Sequence, residues 1–151
     1  MGGLTVLDAL CKAMPTENFT YLGDTARLPY GTKSRATVER YAEQAARHLV
    51  DRGVKALVIA CNTASGVALE HLADTFAPLP VFGVVEPGAQ AAAASQHRDV
   101  VVLATERTVS EGAYQRALLS HNSAIAVRAR ACPMWVTLAE QGPQSGDPPR
   151  R

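Results

Sequence analysis

The sequence predicts an α/β fold, a parallel sheet with flanking helices. Short β-branched apolar runs alternate along the chain with segments of helical periodicity. That alternation implies strands paired in parallel through right-handed crossovers. With 151 residues and 47% hydrophobic content, the chain can build one core of ordinary size, or parts of two smaller lobes, without disulfide staples.

Residues 4–14 read as a helix ended by Pro15, with Cys11 among Leu7, Leu10 and Met14 as a core residue. Residues 19–22 read as a strand, and 23–31 as a loop with turn chemistry at both ends, Gly23-Asp24 and Pro29-Tyr30-Gly31. An amphipathic helix is expected over 36–52, its stripe formed by Val38, Tyr41, Ala45, His48 and Leu49 and its end marked by Gly53. Residues 56–60 form a buried strand, followed by Cys61-Asn62-Thr63 and a helix over 64–76. A second buried strand at 81–85 leads into Glu86-Pro87-Gly88 and an alanine-rich helix at 89–95, with Pro87 suited to a first turn. Residues 99–104 give another apolar strand, then Thr105-Glu106-Arg107-Thr108 and a helix over 110–119. Residues 123–131 alternate like a strand, and Cys132-Pro133 opens a last helix to Glu140. The stretch 143–151 differs sharply in composition and is expected to be disordered. The expected organisation is a first lobe at 1–83, a partial second lobe at 84–142 and the tail.

Fifteen basic against fourteen acidic residues give a formal charge of +1 with 5% aromatic content, which argues against nucleic acid as a partner. No apolar run approaches the roughly 18 residues of a membrane span, and the N-terminus lacks the regions of a signal peptide, so no membrane association and a cytoplasmic location are expected. Cys11, Cys61 and Cys132 are odd in number and far apart, which argues against disulfides and a zinc knuckle. The histidines at 48, 71, 97 and 121 show no ligand spacing, so no metal site is expected. Gly31-Thr32-Lys33-Ser34 lacks the glycines of a phosphate-binding loop.

The most informative segment is Cys61-Asn62-Thr63, which puts a thiol, an amide and a hydroxyl at the carboxyl end of a strand, where open α/β sheets bind ligands. A lone cysteine there reads first as a small core residue. Asn62 and Thr63 shift the reading, because polar side chains after a buried strand need partners and the next helix offers free backbone N–H groups. Together they suggest a pocket for a small carboxylate or other anion.

Six segments then carry a resemblance: Gly2-Gly3-Leu4-Thr5-Val6, Tyr21-Leu22-Gly23-Asp24, Leu28-Pro29-Tyr30-Gly31, Ala60-Cys61-Asn62-Thr63-Ala64-Ser65, Val84-Val85-Glu86-Pro87-Gly88-Ala89 and Ala131-Cys132-Pro133. In order and spacing they resemble the bacterial glutamate racemases of the aspartate/glutamate racemase superfamily, from residue 2 to about 142. The resemblance implies two similar α/β lobes with glutamate between them and cofactor-independent exchange of L- and D-glutamate for peptidoglycan. One cysteine thiolate removes the Cα proton while a second thiol protonates the opposite face, each such group being worth about 10² to 10⁴ in rate. On this resemblance Cys61 is the first of the pair. Asn62 and Thr63 bind substrate, Tyr30 and Gly31 contact it through their backbone, and Thr105 and Thr108 add hydroxyls from the second lobe. Glu140 matches a carboxylate near the second catalytic position, the alternative being a solvated charge at a helix end. A homodimer is the candidate assembly.

The sequence departs from the family pattern at both ends. The strand ending in Asp-Ser, and the later Gly-Cys-Thr-His segment that carries the second cysteine, have no counterpart here, and Cys132 matches a structural position. The expectation is a gene fragment with a frame change after Gly142. Two alternatives stay open: an inactive remnant that binds a carboxylate, and a racemase of the aspartate or hydantoin type, against which the Pro-Tyr-Gly loop and Cys-Asn-Thr argue.

Overall fold

Ser34 begins the largest helical layer: its hydroxyl accepts from the Thr37 amide at 3.3 Å, capping helix α2 (Arg35–Val50). The computed structural model describes residues 2–95, 97–135 and 138. Before α2 come helix α1 (Gly2–Ala13) and two short 3₁₀ turns, Thr25–Arg27 and Tyr30–Thr32. After it come strand β1 (Leu57–Ile59), helix α3 (Asn62–Thr75), strand β2 (Val81–Gly83) and helix α4 (Val85–Ala94). Strand β3 (Asp99–Ala104), helices α5 (Glu106–Glu111) and α6 (Ala113–His121), and strand β4 (Ala126–Ala131) follow. Residues 133–135 are helical. The α/β class is as the sequence predicts. Its strands form two parallel pairs, β1 with β2 and β3 with β4.

The main core is the seam between α2 and α3. Val38, Ala42 and Ala46 of α2 meet Ala64, Val67, Ala68 and Leu72 of α3, with Leu57 and Phe76 completing the cluster. The buried stripe of α2 is therefore turned from the predicted one. Ala42 and Ala46 go inside and His48 stays exposed, because small side chains let two helices approach closely. Burying Leu57 and Leu72 supplies about 1.5–3 kcal/mol each. Val85, Ala89, Leu118 and Ile125 are also buried, and α4 packs on α6.

Ser65 ties strands to helix. Its hydroxyl donates to the Ile59 carbonyl at 2.5 Å and accepts from the Val84 amide at 3.1 Å. That second bond turns the chain out of β2, so the strand stops at Gly83 and α4 starts at Val85, ahead of the predicted residue 89. Pro87 is the third residue of α4, where its missing N–H has no intrahelical partner to lose.

Several predicted elements differ. Residues 19–22 form no strand, since among the described residues no strand pairs with them. The helix predicted at 110–119 is two helices, parted where Gly112 takes φ 65°. Strands β1 and β2 are covered on one face only. Val58 and Phe82, opposite each other in register, are exposed instead of buried, as are Val101 and Leu103 of β3. Helix α1 buries none of its residues, and Cys11 is exposed where the sequence reading made it core. No described helix is long and apolar enough to cross a membrane.

Candidate functional site

The candidate site is built around the N-terminus of α3. Cys61 is its N-cap, held at φ −81° and ψ 121° as the chain leaves β1, and its carbonyl accepts the first helical bond from the Ser65 amide at 2.8 Å. Its thiol is free and exposed. An exposed thiol is not a core filler, so the simpler reading of a lone apolar cysteine does not hold here. Asn62 and Thr63, which the sequence reading places just before a helix starting at residue 64, are the first two residues of α3. Their amides are among those that a helix leaves unpaired at its start.

Thr63 points inward, only 4% exposed, and joins a triangle of hydroxyls. Its Oγ1 lies 3.1 Å from that of Thr105 and 3.1 Å from that of Thr108, and the latter two lie 3.0 Å apart. Thr105 is the N-cap of α5 and also accepts from the Thr108 amide at 3.3 Å. Thr108 is 1% exposed, so its hydroxyl supports Thr63 and Thr105 from below. Three hydroxyls can satisfy one another in a ring, each donating once.

Tyr30 and Gly31 lie in the 3₁₀ turn facing α5, with Gly31 buried against the Thr105 side chain. The Tyr30 hydroxyl donates to Asp24 Oδ2 at 2.5 Å, and that carboxylate also pairs with Arg27 Nε at 2.7 Å. Burial, and then the Asp24 bond and charge, hold the Tyr30 phenol protonated far above its ordinary range; Cys61 is close enough to add to the same effect. The Arg27 guanidinium stacks 4.7 Å from the centre of the Tyr41 ring.

Polar contacts clamp this turn onto α5. Arg107 Nε donates to the Lys33 carbonyl at 2.9 Å. Glu111 receives Arg107 at 3.3 Å and Arg35 at 3.0 Å. The structure thus brings Cys61, Asn62, Thr63, Tyr30, Gly31, Thr105 and Thr108 into one region from turns and helices distant in sequence. Glu140 lies outside the described residues. Cys132 is half-buried after β4, its thiol 3.9 Å from the Arg130 carbonyl.

Sequence reasoning missed Asp24, Arg107 and Tyr114. Tyr114 of α6 donates its hydroxyl to Asn62 Oδ1 at 2.6 Å. No local pattern signals a bond between residues 52 positions apart. Among the described residues no group of three or more His, Cys, Asp and Glu side chains is arranged to hold a metal ion. A surface groove lined by Arg27, Gln44, Arg47, His48 and Asp51 shares none of the candidate residues.

Residues 5–150 match the model of the Asp/Glu/Hydantoin racemase family. A glutamate racemase of Geobacter metallireducens is 52% identical over 143 residues, which cover 94% of this chain and 53% of that protein. The crystal structure of glutamate racemase from Francisella tularensis subsp. tularensis SCHU S4 in complex with D-glutamate matches with a TM-score of 0.86 at 39% identity, covering 96% of this chain and 54% of that one. The glutamate racemase from Thermus thermophilus in complex with β-chloro-D-alanine matches with a TM-score of 0.80 at 50% identity, covering 93% and 51%. The chain spans about half the length of the relatives it matches.

Proposed function

Because this chain belongs to the Asp/Glu/Hydantoin racemase family, we propose that its site binds glutamate and exchanges the Cα proton through Cys61, as one side of a cofactor-independent racemisation. The observation that carries the reading is the exposed Cys61 thiol at the N-terminus of α3, with Asn62 beside it and the Thr63–Thr105–Thr108 triangle behind. The unpaired first amides of α3 and the helix dipole attract a carboxylate. A carboxylate bound there holds Cα near the thiol, so the thiolate takes the Cα proton and the carbanion's charge spreads into the carboxylate. Asn62 and Thr63 serve the substrate's polar groups, Tyr30 and Gly31 close the turn over it, and Thr105 lines it from α5 with Thr108 as support. Racemisation also needs a proton donor on the opposite face of Cα. Glu140 belongs near that donor in this reading.

The same reading divides the chain into lobes at 1–83 and 84–142, with substrate between them. It makes D-glutamate for peptidoglycan the product, in the cytoplasm, with a homodimer as the assembly. Its support is that the relatives above are glutamate racemases, one of them described in complex with D-glutamate.

The test is Cα hydrogen exchange by NMR. Purified chain is incubated in D₂O with D-glutamate and, separately, with L-glutamate, beside Cys61→Ala. Loss of the Cα proton signal from one enantiomer, absent in the variant, is the expected result. A folded chain that binds glutamate without exchanging it points to a ligand-holding role alone. A folded chain that neither binds glutamate nor exchanges its Cα proton overturns the proposal.

A further inference from the structure

We propose that Tyr114 is a positioning residue for Asn62: its hydroxyl holds the Asn62 amide in one orientation, so that the site presents an N–H donor, and not a carbonyl, to the ligand's carboxylate. This rests on the reading above that a carboxylate binds beside Cys61.

Tyr114 Oη donates to Asn62 Oδ1 at 2.6 Å, a short bond joining α6 to the first turn of α3. Among the described residues no partner is recorded for Asn62 Nδ2, so its two hydrogens are the half of the amide left for a ligand. Asn62 is exposed, and an exposed amide without a fixed partner samples both flips. With Oδ1 outward it would turn a partial negative charge toward the carboxylate.

The surroundings of Tyr114 seat it for this task. Gly112 adopts the left-handed conformation at φ 65°, which separates α6 from α5 and lets α6 run against α3. There Gly66 and Ala113 approach closely, a Cβ at 66 lying 3.3 Å from the Ala113 Cβ. On the other side, a Cβ at Gly88 would lie 3.3 Å from Tyr114 Cε1 and 3.5 Å from its hydroxyl oxygen. Gly88 of the Glu86-Pro87-Gly88 segment thus leaves room for the ring beside α4, a use for that segment which the reaction itself does not supply. Burial keeps the phenol protonated above its ordinary range, so it remains a donor. A tyrosine that only filled space between helices would need none of this polar geometry.

Tyr114→Phe separates the two roles, because it keeps the ring against Gly88 and removes only the hydroxyl. In chain with ¹⁵N-labelled asparagine, the resonances of the Asn62 side-chain amide pair are expected to shift in Tyr114→Phe, because the amide oxygen loses its donor. The melting temperature should stay close to that of the parent. An unchanged Asn62 pair overturns the proposal. Glutamate affinity is expected to fall about fivefold to tenfold in Tyr114→Phe. The double variant Tyr114→Phe/Asn62→Ala should bind no more weakly than Asn62→Ala alone. Additive losses, or full affinity in Tyr114→Phe, overturn it as well. Should Tyr114→Phe fail to fold, Asn62→Ala gives the converse measurement: the Tyr114 ¹³Cζ resonance moves if the bond is present, and an unmoved resonance refutes it. If the parent chain binds neither enantiomer, the glutamate reading fails, while the Asn62 and Tyr114 resonances still decide whether Tyr114 orients the amide.

Discussion

Gly31 lies so close to Thr105 that a Cβ at position 31 would stand 2.5 Å from the threonine Cβ. The turn that precedes α2 meets the cap of α5 only because this residue has no side chain. Gly31→Ala must displace Thr105, one corner of the hydroxyl triangle, and with it the contacts to Thr63 and Thr108. Overpacking of this kind costs about 1–3 kcal/mol, which urea denaturation will read as a lowered midpoint. A midpoint equal to the parent's would show that the turn and α5 can part freely.

Thr108→Val keeps the shape of a fully buried side chain and deletes its hydroxyl. Thr63 and Thr105 each lose a partner, at a cost of about 1–3 kcal/mol. Thr108→Ser restores the hydroxyl and loses one methyl, about 1 kcal/mol. Equilibrium unfolding of both variants should therefore place serine above valine, the reverse of the order that apolar burial alone would give.

Ser65→Ala removes the link between the end of β1 and the exit of β2. The Val84 amide loses its acceptor and the Ile59 carbonyl its donor. A loss of about 1–3 kcal/mol is expected. Hydrogen exchange at the Val84 amide should quicken in the variant, and unchanged exchange there would contradict the role given to Ser65.

Glu111→Gln removes the charge that Arg35 and Arg107 share. Glu111 is largely sheltered while Arg35 is about half exposed, so the expected loss is about 1–2 kcal/mol, between the surface and buried limits. The gap between parent and variant should narrow in about 1 M salt. A gap independent of salt would mean that packing, and not charge, holds α5 to the turn.

Tyr30 and Tyr114 both hold their protons above the ordinary tyrosine value of 10.0. A folded-state pKa raised above the unfolded one gives stability that is fully present below the unfolded value and is lost as pH rises toward the folded value. These two phenols therefore leave stability unchanged up to about pH 10 and reduce it above. Tyr30→Phe should flatten that alkaline decline, measured as urea midpoints at about pH 9 and about pH 11. Equal declines in parent and variant would show that Tyr30 ionises as freely folded as unfolded.

The elements legible in the sequence were those with strong local signals. The apolar β-branched run at 99–104 became β3 with the same bounds, and Gly53 takes the positive φ expected just past a helix. Residues 19–22 misled because a strand needs a neighbour as well as a pattern. The helix at 110–119 misled because Gly112 reads as one weak helical residue until its left-handed turn is seen. Cys61-Asn62-Thr63 stood out because polar residues directly after an apolar strand are costly without a purpose.

By itself the sequence determined the α/β class, the order of helices and strands from α2 to β4 apart from the break at Gly112, and the segments from which a site could be drawn. Those depend on periodicity and on residues within a few positions of each other. Only the tertiary structure decided that Thr63, Thr105 and Thr108 close a ring, that Gly31 abuts Thr105, and that Tyr114 reaches Asn62. Apart from the Thr105–Thr108 pair, these contacts join residues 42 to 74 positions apart, and hydrogen bonds and close packing act through distance in space, which a linear pattern does not encode.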